Sequence, residues 1–590
     1  MFFNDKCRDQ MVLPRSSLNS ENDLDTSNEN DIDDGYIELS KDVSEKNLKK
    51  TYGNANTHLT SNDEHTNISV IPSYATSITN RPKTNESPVI IQQCKQSQDW
   101  PKWQVAIKSE LESLIKRKVF IGPMELPTGK KLIGRLVAQG LSQRPGYDFF
   151  DTYSPVIDAT SYRYVLALGR NLDFEIESMD VVTAYFYGDI QEDIFMKVPE
   201  GICIPSSIRE PCVKVVKALY GLRQSGRAWF EKYAQSLIDQ GYSYSKASPC
   251  IFFKTTKLGK VITTIYVDDS TIMGDSAAKN EAKQMLTSQF EMKDLGQLQG
   301  CIGSDIEQTN DGIFIHQTSY TDRILEKFNM NHSTPRHNPL ECRGHHLYLY
   351  GAAQEGEPLL EPHVPYASAL GALSYLANFT RPDISFSVNM LARQTHAPTK
   401  RHWDAIKQLF RYLNGTRNLG LYYLKGNLDI AGYADAGFVS DWSSGKLQTG
   451  YVFTIGGTAF SWKSTKQSIT ATSTTHAELI TLFEATKEAV WMSSFISDLY
   501  SGLQVNHNVF PITIYEDNQA CIRQIESGFI KSDMTKHFTP KYYFTTDMIQ
   551  EGRIRVEQIS SQSNLADLFT KVLPGSRHKE LVEKLSHAPI

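Results

Sequence analysis

The spacing of apolar residues changes several times along the chain. Residues 1–95 show no sustained hydrophobic periodicity and are rich in Asn, Ser, Thr and Asp, with few aromatic side chains. Such a segment cannot bury enough apolar surface to offset its ordering entropy, so a disordered N-terminal tail is predicted. At Trp100-Pro101 the pattern changes, and the following stretch WQVAIKSELESLIKRKVF carries apolar residues at helical spacing. The sequence predicts an amphipathic helix there.

Beyond this helix, short β-branched and aromatic runs alternate with helical stretches to about residue 345, a pattern typical of α/β or α+β folds. Residues 346–428 are predicted to be mostly helical, with a break at Arg381-Pro382-Asp383. From residue 429, a hairpin-like GYVFTIGGTAFSWK, a long helix HAELITLFEATKEAVWMSSFISDLY and a strand PITIYEDN predict a mixed-sheet domain to residue 575. Residues 576–590 are predicted to be a C-terminal tail.

Composition narrows the class of protein. The 590 residues are 40% hydrophobic and 22% charged, as expected of a globular chain with several modules. No apolar run approaches the roughly 18 residues of a membrane-spanning helix, so no membrane partner is expected. The eight cysteines include no CxxC pair, which argues against a zinc site and against a disulfide framework.

The net charge of −6 resides in the first hundred residues, which hold 10 basic and 16 acidic side chains. The rest of the chain is electrically balanced and is therefore not a basic nucleic-acid binder by bulk charge. Affinity for nucleic acid would come from local patches, or from metal ions that offset clustered carboxylates.

A first carboxylate cluster is predicted around a tandem Asp. The segment VITTIYVDDSTIMG places Asp268 and Asp269 between two apolar runs, and a hairpin with an Asp-Asp tip follows because Asp favours turns. Asp180 ends another predicted strand in ESMDVVTAYFYGD. Carboxylates that converge at strand ends repel one another unless divalent ions bind between them, as in two-metal nucleotidyl transfer. A plain turn is the competing interpretation.

A second set of acids lies in the last third of the chain. Asp435 and Asp517 lie at or just past predicted strand ends, Glu478 lies near the start of the long helix, and Asp567 lies in NLADLFTK. The first three can converge on one face of a mixed sheet. Taken singly, each acid has a structural explanation as a turn residue or as a helix-terminus acid that the helix dipole favours.

Long blocks of the sequence resemble the reverse transcriptase of copia-type LTR retrotransposons. The blocks are LVAQGLSQRPGYDFFDTYSPV, MDVVTAYFYGDIQEDIFMKVPEG, KALYGLRQSGRAWF and YVDD. The resemblance implies a right-hand polymerase with fingers and palm at 96–345 and a helical thumb or connection at 346–428. It also implies that Asp180, Asp268 and Asp269 bind two Mg²⁺, or Mn²⁺ in their place, and drive attack of a primer 3′-hydroxyl on the α-phosphate of a dNTP.

The same resemblance implies a set of substrate-binding residues. Tyr185 falls where the family keeps an aromatic ring that would clash with a ribose 2′-hydroxyl, and an ordinary core aromatic is the alternative. Fingers and palm contacts to the incoming nucleotide fall on Arg135 and on Tyr220, Gly221 and Arg223 of ALYGLR. Each of these could instead be a solvated charge or a turn residue.

The last third resembles the ribonuclease H domain that follows reverse transcriptase in copia-type elements, through GYVFTIGGTAFSWKSTKQS, AVWM, DNQA and LADLFTK. The resemblance implies that four acids hold two Mg²⁺ and hydrolyse the RNA strand of an RNA·DNA hybrid: Asp435, Glu478, Asp517 and Asp567. The implied partners are an RNA template, a DNA primer, dNTPs, the hybrid, and the integrase or capsid protein of the same element. The implied location is a cytoplasmic virus-like particle, or the nucleus.

Several positions depart from the family pattern. Ile133 stands where a Lys is usual, Ser270 and Thr271 follow the tandem Asp where the family tends to be apolar, and Pro540 interrupts a segment that normally has no proline. None of these positions is one of the seven acids. The departures leave open an alternative of a different class, a degenerate and non-catalytic retrotransposon remnant that at most binds nucleic acid.

Overall fold

A computed structural model describes residues 95–96, 99–125, 143–199, 204–342, 349–437, 447–471, 473–506, 510–528 and 539–586. All of them belong to one compact unit, Asn67–Ile590. The predicted disordered tail lies outside the described residues except for Lys95, and Arg135 and Ile133 lie outside them as well.

The described residues alternate between helices and strands over most of their length. The helices are α1 (Trp100–Lys116), α2 (Ala159–Asn171), α3 (Ser225–Asp239), α4 (Ser276–Gln289), α5 (Thr318–Lys327), α6 (Tyr366–Phe379), α7 (Ser385–Ala392), α8 (Lys400–Gly415), α9 (Thr474–Leu503), α10 (Gln519–Ser527), α11 (Thr539–Gln550) and α12 (Gly575–Ser586). The strands are β1 (Phe120–Glu125), β2 (Glu175–Val181), β3 (Asp189–Lys197), β4 (Pro211–Lys217), β5 (Ser243–Ser245), β6 (Ser248–Thr256), β7 (Gly259–Tyr266), β8 (Asp269–Gly274), β9 (Met292–Gln297), β10 (Gly300–Cys301), β11 (Ser304–Gln308), β12 (Gly312–His316), β13 (Gly420–Leu424), β14 (Ile430–Gly437), β15 (Gln448–Ile455), β16 (Thr458–Lys466), β17 (Ile512–Glu516) and β18 (Ile554–Gln558).

An antiparallel six-stranded sheet, in the order β5-β6-β7-β8-β2-β9, carries the first group of acids. Helices α2 and α3 contact opposite faces of β8, because Tyr233 bonds the Ser270 hydroxyl and Tyr162 bonds the Thr271 hydroxyl, each over 3.1 Å. Ser270 and Thr271 are buried, so these partners satisfy the two polar residues that depart from the family pattern. The departure is therefore accommodated by the fold.

The chain also forms two smaller sheets, one with the strand order β1-β4-β3 and one with the order β10-β11-β12-β13. Strand β13 lies inside the segment 346–428 that was predicted to be mostly helical, and it pairs antiparallel with β12. The sheet therefore joins chain from both sides of the predicted boundary at residue 345. Periodicity missed β13 because a five-residue strand is too short to separate from a helix end.

The last part of the chain forms a mixed five-stranded sheet in the order β16-β15-β14-β17-β18. Strands β14, β17 and β18 pair in parallel, whereas β14-β15 and β15-β16 pair antiparallel. The predicted hairpin is β15-β16, and it closes through Gly456-Gly457, both at positive φ. Helix α9 packs on this sheet, since the Thr481 hydroxyl lies 3.1 Å from that of Thr449 on β15 and the Tyr451 hydroxyl donates to the Glu488 carboxylate. The chain is thus a mixed α/β protein with several sheets.

The predicted tail at 576–590 is wrong for the residues that the structure describes there. Residues 575–586 form α12, in which Leu581 and Leu585, four positions apart on one helix face, are buried. The His578 ring also lies within hydrogen-bonding distance of the Asp383 carbonyl, at 3.3 Å. Pro540 is the second residue of α11, a position where its missing N–H costs no helical hydrogen bond.

Candidate active sites

Strands β2 and β8 bring the first three acids together. Asp180 and Asp269 are directly opposite each other in the antiparallel pair. Asp268 lies in the two-residue turn between β7 and β8, and its carbonyl accepts a 2.9 Å hydrogen bond from Val181 N. The hairpin predicted from the tandem Asp therefore places all three acids at one end of two adjacent strands.

The turn before these acids is strained and externally supported. Val267 has φ of +60°, a left-handed conformation that is costly for a β-branched residue. The buried Trp229 indole Nε1 donates a 2.6 Å hydrogen bond to the Val267 carbonyl. Sequence reasoning did not single out Trp229; its signal is that a buried indole N–H needs an acceptor.

The environment of the three acids disfavours their charged forms. Asp180 is 5% exposed, and burial raises its pKa, although Lys293 on β9, with Nζ 3.5 Å from Asp180 Oδ2, offsets part of that rise. Burial raises the pKa of Asp269 to about 6, and the charges of Asp268 and Asp180 add to the effect. Burial likewise raises the pKa of Asp268. Carboxylate oxygens are the ligands that Mg²⁺ prefers, so the three acids have the chemistry of a divalent-ion site, although their oxygens do not all lie within 4.8 Å of one another.

Two of the predicted nucleotide-contacting residues lie together beside this site. Tyr185 is in a short 3₁₀ helix directly after β2, and its ring centroid is 4.7 Å from that of Tyr220. Burial raises the pKa of the Tyr185 hydroxyl, and the charge of Asp268 adds to it. Gly221 is exposed at φ of +94°, and the exposed Arg223 places its guanidinium 5.2 Å from the Phe149 ring centroid.

The mixed sheet holds a second and tighter acid cluster. One oxygen each of Asp435, Glu478 and Asp517 lies within 4.8 Å of the others, and over the described ranges no other such group of three possible metal ligands occurs. Parallel pairing of β14 with β17 puts Asp435 beside Asp517, which directly follows β17. Glu478 Oε2 accepts a 2.7 Å hydrogen bond from Ala436 N, which ties the start of α9 to β14.

Asp567 lies beside this cluster but is not one of its three members. It is part of a 3₁₀ turn, Leu565–Phe569, whose cap Asn564 donates a 2.8 Å hydrogen bond to the Ala434 carbonyl. Gly450 lies opposite Asp435 on β15 and allows the 3₁₀ turn to pack closely against the sheet. A Cβ at position 450 would lie 2.8 Å from the Phe569 Cβ, which is too close. The ammonium of Lys571 contacts both Asp567 and Asp435.

Burial and mutual repulsion dominate the electrostatics of the second cluster. Burial raises the pKa of Glu478 well above its usual range, and the charges of Glu516, Asp435 and Asp517 add to it. Burial also raises the pKa of Asp435, against the opposing effect of Lys571. A cation among these oxygens would relieve the repulsion, so the donor set fits a divalent ion.

Sequence reasoning missed two residues of this site. Glu516 is fully buried, and its alternation with buried Ile512 and Ile514 along β17 is the signal that could have found it. Lys571 lies four positions after Asp567, a spacing at which opposite charges on a helical turn meet.

Comparison with known proteins identifies the family of the region that contains the first three acids. Residues 107–342 match the family described as reverse transcriptase (RNA-dependent DNA polymerase). The chain is 36% identical over 509 residues to the Retrovirus-related Pol polyprotein from transposon TNT 1-94 of Nicotiana tabacum. The aligned region covers 81% of the chain and 37% of that relative. Residues 107–342 are thus a reverse transcriptase domain. The chain is homologous to the Pol polyproteins of copia-type retrotransposons over most of its length, and it spans about a third of the length of the curated relatives that it matches.

Two solved structures resemble parts of the chain at low similarity. A foamy viral protease-reverse transcriptase in complex with double-stranded DNA covers 77% of the chain and 69% of its own length, at 11% identity and a TM-score of 0.40. An LC11 ribonuclease H1 in complex with an RNA/DNA hybrid covers 24% of the chain and 94% of its own length, at 19% identity and a TM-score of 0.17. Among the described helices, none combines the length and the apolar character needed to cross a membrane.

Proposed function

We propose that the chain is an RNA- and DNA-dependent DNA polymerase with a separate ribonuclease H site, acting on an RNA template, a DNA primer, dNTPs and the resulting hybrid. The observation that carries the polymerase assignment is the convergence of Asp180, Asp268 and Asp269 at one end of β2 and β8, inside the reverse transcriptase domain. We further propose the palm, fingers and thumb layout, with the six-stranded sheet as the palm.

The first site would hold its ions through Asp180, Asp268 and Asp269. Divalent ions bound there supply activation of the attacking 3′-hydroxyl and stabilisation of the leaving pyrophosphate. Trp229 supports the turn that positions Asp268 and Asp269, because its N–H satisfies the Val267 carbonyl. The rings of Tyr185 and Tyr220 pack against each other beside the acids. In this position the Tyr185 ring would clash with the 2′-hydroxyl of a ribonucleotide and so favour dNTPs.

The second site would hold its ions through Asp435, Glu478, Asp517 and Asp567. The chemistry that those ions supply is activation of a water and stabilisation of the leaving oxygen during RNA hydrolysis. The Ala436 N–H donates a hydrogen bond to the Glu478 carboxylate and so positions it. Asn564 caps the short 3₁₀ turn that contains Asp567. These contacts fix the acids on rigid elements, which favours a site over four unrelated surface charges.

The polymerase assignment is tested by primer extension with the full chain on an RNA template, in Mg²⁺ or Mn²⁺. Asp268→Asn keeps the side-chain volume and removes a carboxylate ligand, so the rate should fall on the order of 10³-fold or more. Asp239→Asn, at the exposed end of α3, is the matched control and should extend normally. Near-normal extension by Asp268→Asn would contradict the assignment, and no extension by the unaltered chain in either metal would favour the non-catalytic remnant.

A further inference from the structure

The second acid cluster contains a cation that belongs to the chain itself. Lys571 Nζ lies 3.0 Å from Asp435 Oδ1 and also contacts Asp567 Oδ1, so the ammonium bridges the two carboxylates. The Lys571 side chain is 40% exposed, whereas those of Asp435 and Asp567 are 3% and 11% exposed. The Thr570 hydroxyl donates to the other oxygen of Asp435. Both oxygens of Asp435 are therefore engaged by consecutive residues.

The lysine is held in place by the local backbone. The Lys571 N–H and the Thr570 N–H both donate to the Asp567 carbonyl, over 3.1 and 3.3 Å. Arg577 approaches the other side of Asp567, with its guanidinium 3.7 Å from Oδ2. The ammonium consequently reaches Asp435 from a short, fixed turn rather than from a loose surface loop.

The acids of this site fall into two sets that share Asp435. The mutually close set is Asp435, Glu478 and Asp517. Asp567, the fourth acid proposed as a ligand, is linked to this set through Asp435, because Lys571 bridges the two carboxylates. A site for two divalent ions would need these same oxygens for its second ion.

We propose that Lys571 is a built-in competitor for the second divalent ion of this site. A first ion binds among Asp435, Glu478 and Asp517 through the lone pairs of Asp435 that Lys571 and Thr570 do not occupy, whereas a second ion requires the ammonium to leave Asp435 and Asp567. The inference rests on the proposed ribonuclease H function for its biological meaning, but it concerns ion binding alone. The second ion therefore binds more weakly than the first, because its binding includes the loss of two ionic contacts.

Ion binding is measured by titrating Mn²⁺ into the metal-free full chain by calorimetry, without nucleic acid. Asp268→Asn and Asp269→Asn are present in every protein, so that ion binding at the polymerase site is suppressed. We expect a tight and a weak class of ion, and Lys571→Gln should tighten the weak class on the order of tenfold. Lys487→Gln is the matched control, since Lys487 is 39% exposed and pairs with Glu484 on α9 away from the cluster.

A second measurement uses the lysine of the unaltered sequence and does not depend on the folding of a variant. Acetylation of Lys571, followed by mass spectrometry, should rise only over the Mn²⁺ range in which the weak class fills. The proposal is overturned if Lys571→Gln leaves the affinity of the weakly bound Mn²⁺ unchanged. It is also overturned if the extent of Lys571 acetylation does not depend on Mn²⁺. If the unaltered chain shows the expected Mn²⁺ binding but does not cleave the hybrid, only the ribonuclease H function is contradicted. Failure of the ion-competition proposal and failure of the proposed function are therefore distinguishable.

Discussion

Asp269 and Glu478 each lie in surroundings that raise the pKa of a carboxylate, and this has a consequence for pH. Burial and neighbouring acids raise the pKa of Asp269 from 3.8 to about 6. An acid with a raised folded-state pKa stabilises the fold fully below its unfolded pKa, and that contribution is lost as the pH rises through the folded pKa. Asp269 therefore becomes charged as the pH rises above about 6, and its repulsion with Asp268 and Asp180 then favours a bound cation.

The first prediction is that Mg²⁺ stabilises the chain more at about pH 7.5 than at about pH 5, because protons compete with the ion for the same carboxylates. The measurement is the midpoint of thermal unfolding with EDTA or with Mg²⁺ at both pH values. Equal Mg²⁺-dependent shifts at the two pH values would count against both acid clusters as ion sites.

The second prediction concerns sugar selection by Tyr185. Replacing Tyr185 with Val removes the ring that packs against Tyr220, so ribonucleotide incorporation should rise relative to dNTP use. Tyr185→Phe keeps the ring and should leave the ratio unchanged. The measurement is the rNTP/dNTP incorporation ratio in primer extension. If Val and Phe give the same ratio, Tyr185 is an ordinary core aromatic.

At the scale of elements, the β7-β8 hairpin depends on a contact from α3. Trp229→Phe removes the N–H that bonds the Val267 carbonyl and should lower the free energy of unfolding by about 1 kcal/mol. The rate of primer extension should fall by more than the loss of folded protein accounts for, because the strained turn contains Asp268 and directly precedes Asp269. Trp491→Phe is the control, since its indole donates to the Ala247 carbonyl over 3.0 Å. Equal effects of both variants on extension would remove the special role of Trp229.

The elements that could be predicted from sequence are those whose signals are local and long. The 30-residue helix α9 and the β15-β16 hairpin follow from periodicity and from the Gly456-Gly457 turn. The acids at the ends of β2, β8 and β17 follow because Asp favours strand ends and turns, whereas Asp435 lies inside β14, two residues before its last residue. Strand β13 and helix α12 were missed because each is short and is fixed by distant partners, β12 and Asp383 respectively.

At the scale of the molecule, the reverse transcriptase domain and the mixed sheet share one hydrophobic core. Arg163 on α2 is 2% exposed and donates to the carbonyls of Phe460 and Phe379, each over 2.7 Å. Phe460 is 297 positions away along the chain, so no sequence pattern could reveal this contact. The Tyr164 and Tyr500 hydroxyls, 2.7 Å apart, add a second bond across the same junction.

Arg163→Met should therefore destabilise the whole described unit, because it leaves buried carbonyls without their charged donor. We expect a loss of about 3 kcal/mol in the free energy of unfolding, measured by urea denaturation. Arg170→Met on the same helix is the control and should cost less than about 1 kcal/mol, because its contacts to the Thr309 and Asn310 carbonyls are exposed. Equal losses would mean that the junction contributes little.

The central claim is that the chain has two separate acid sites with two separate reactions. The most direct measurement assays RNA·DNA hybrid cleavage and primer extension side by side on Glu478→Gln, Asp268→Asn and the exchange Glu484→Gln, which lies on α9 outside the cluster. We predict that Glu478→Gln stops cleavage and spares extension, that Asp268→Asn does the reverse, and that Glu484→Gln retains both activities. Loss of both activities in either site variant, or of neither, would contradict the claim.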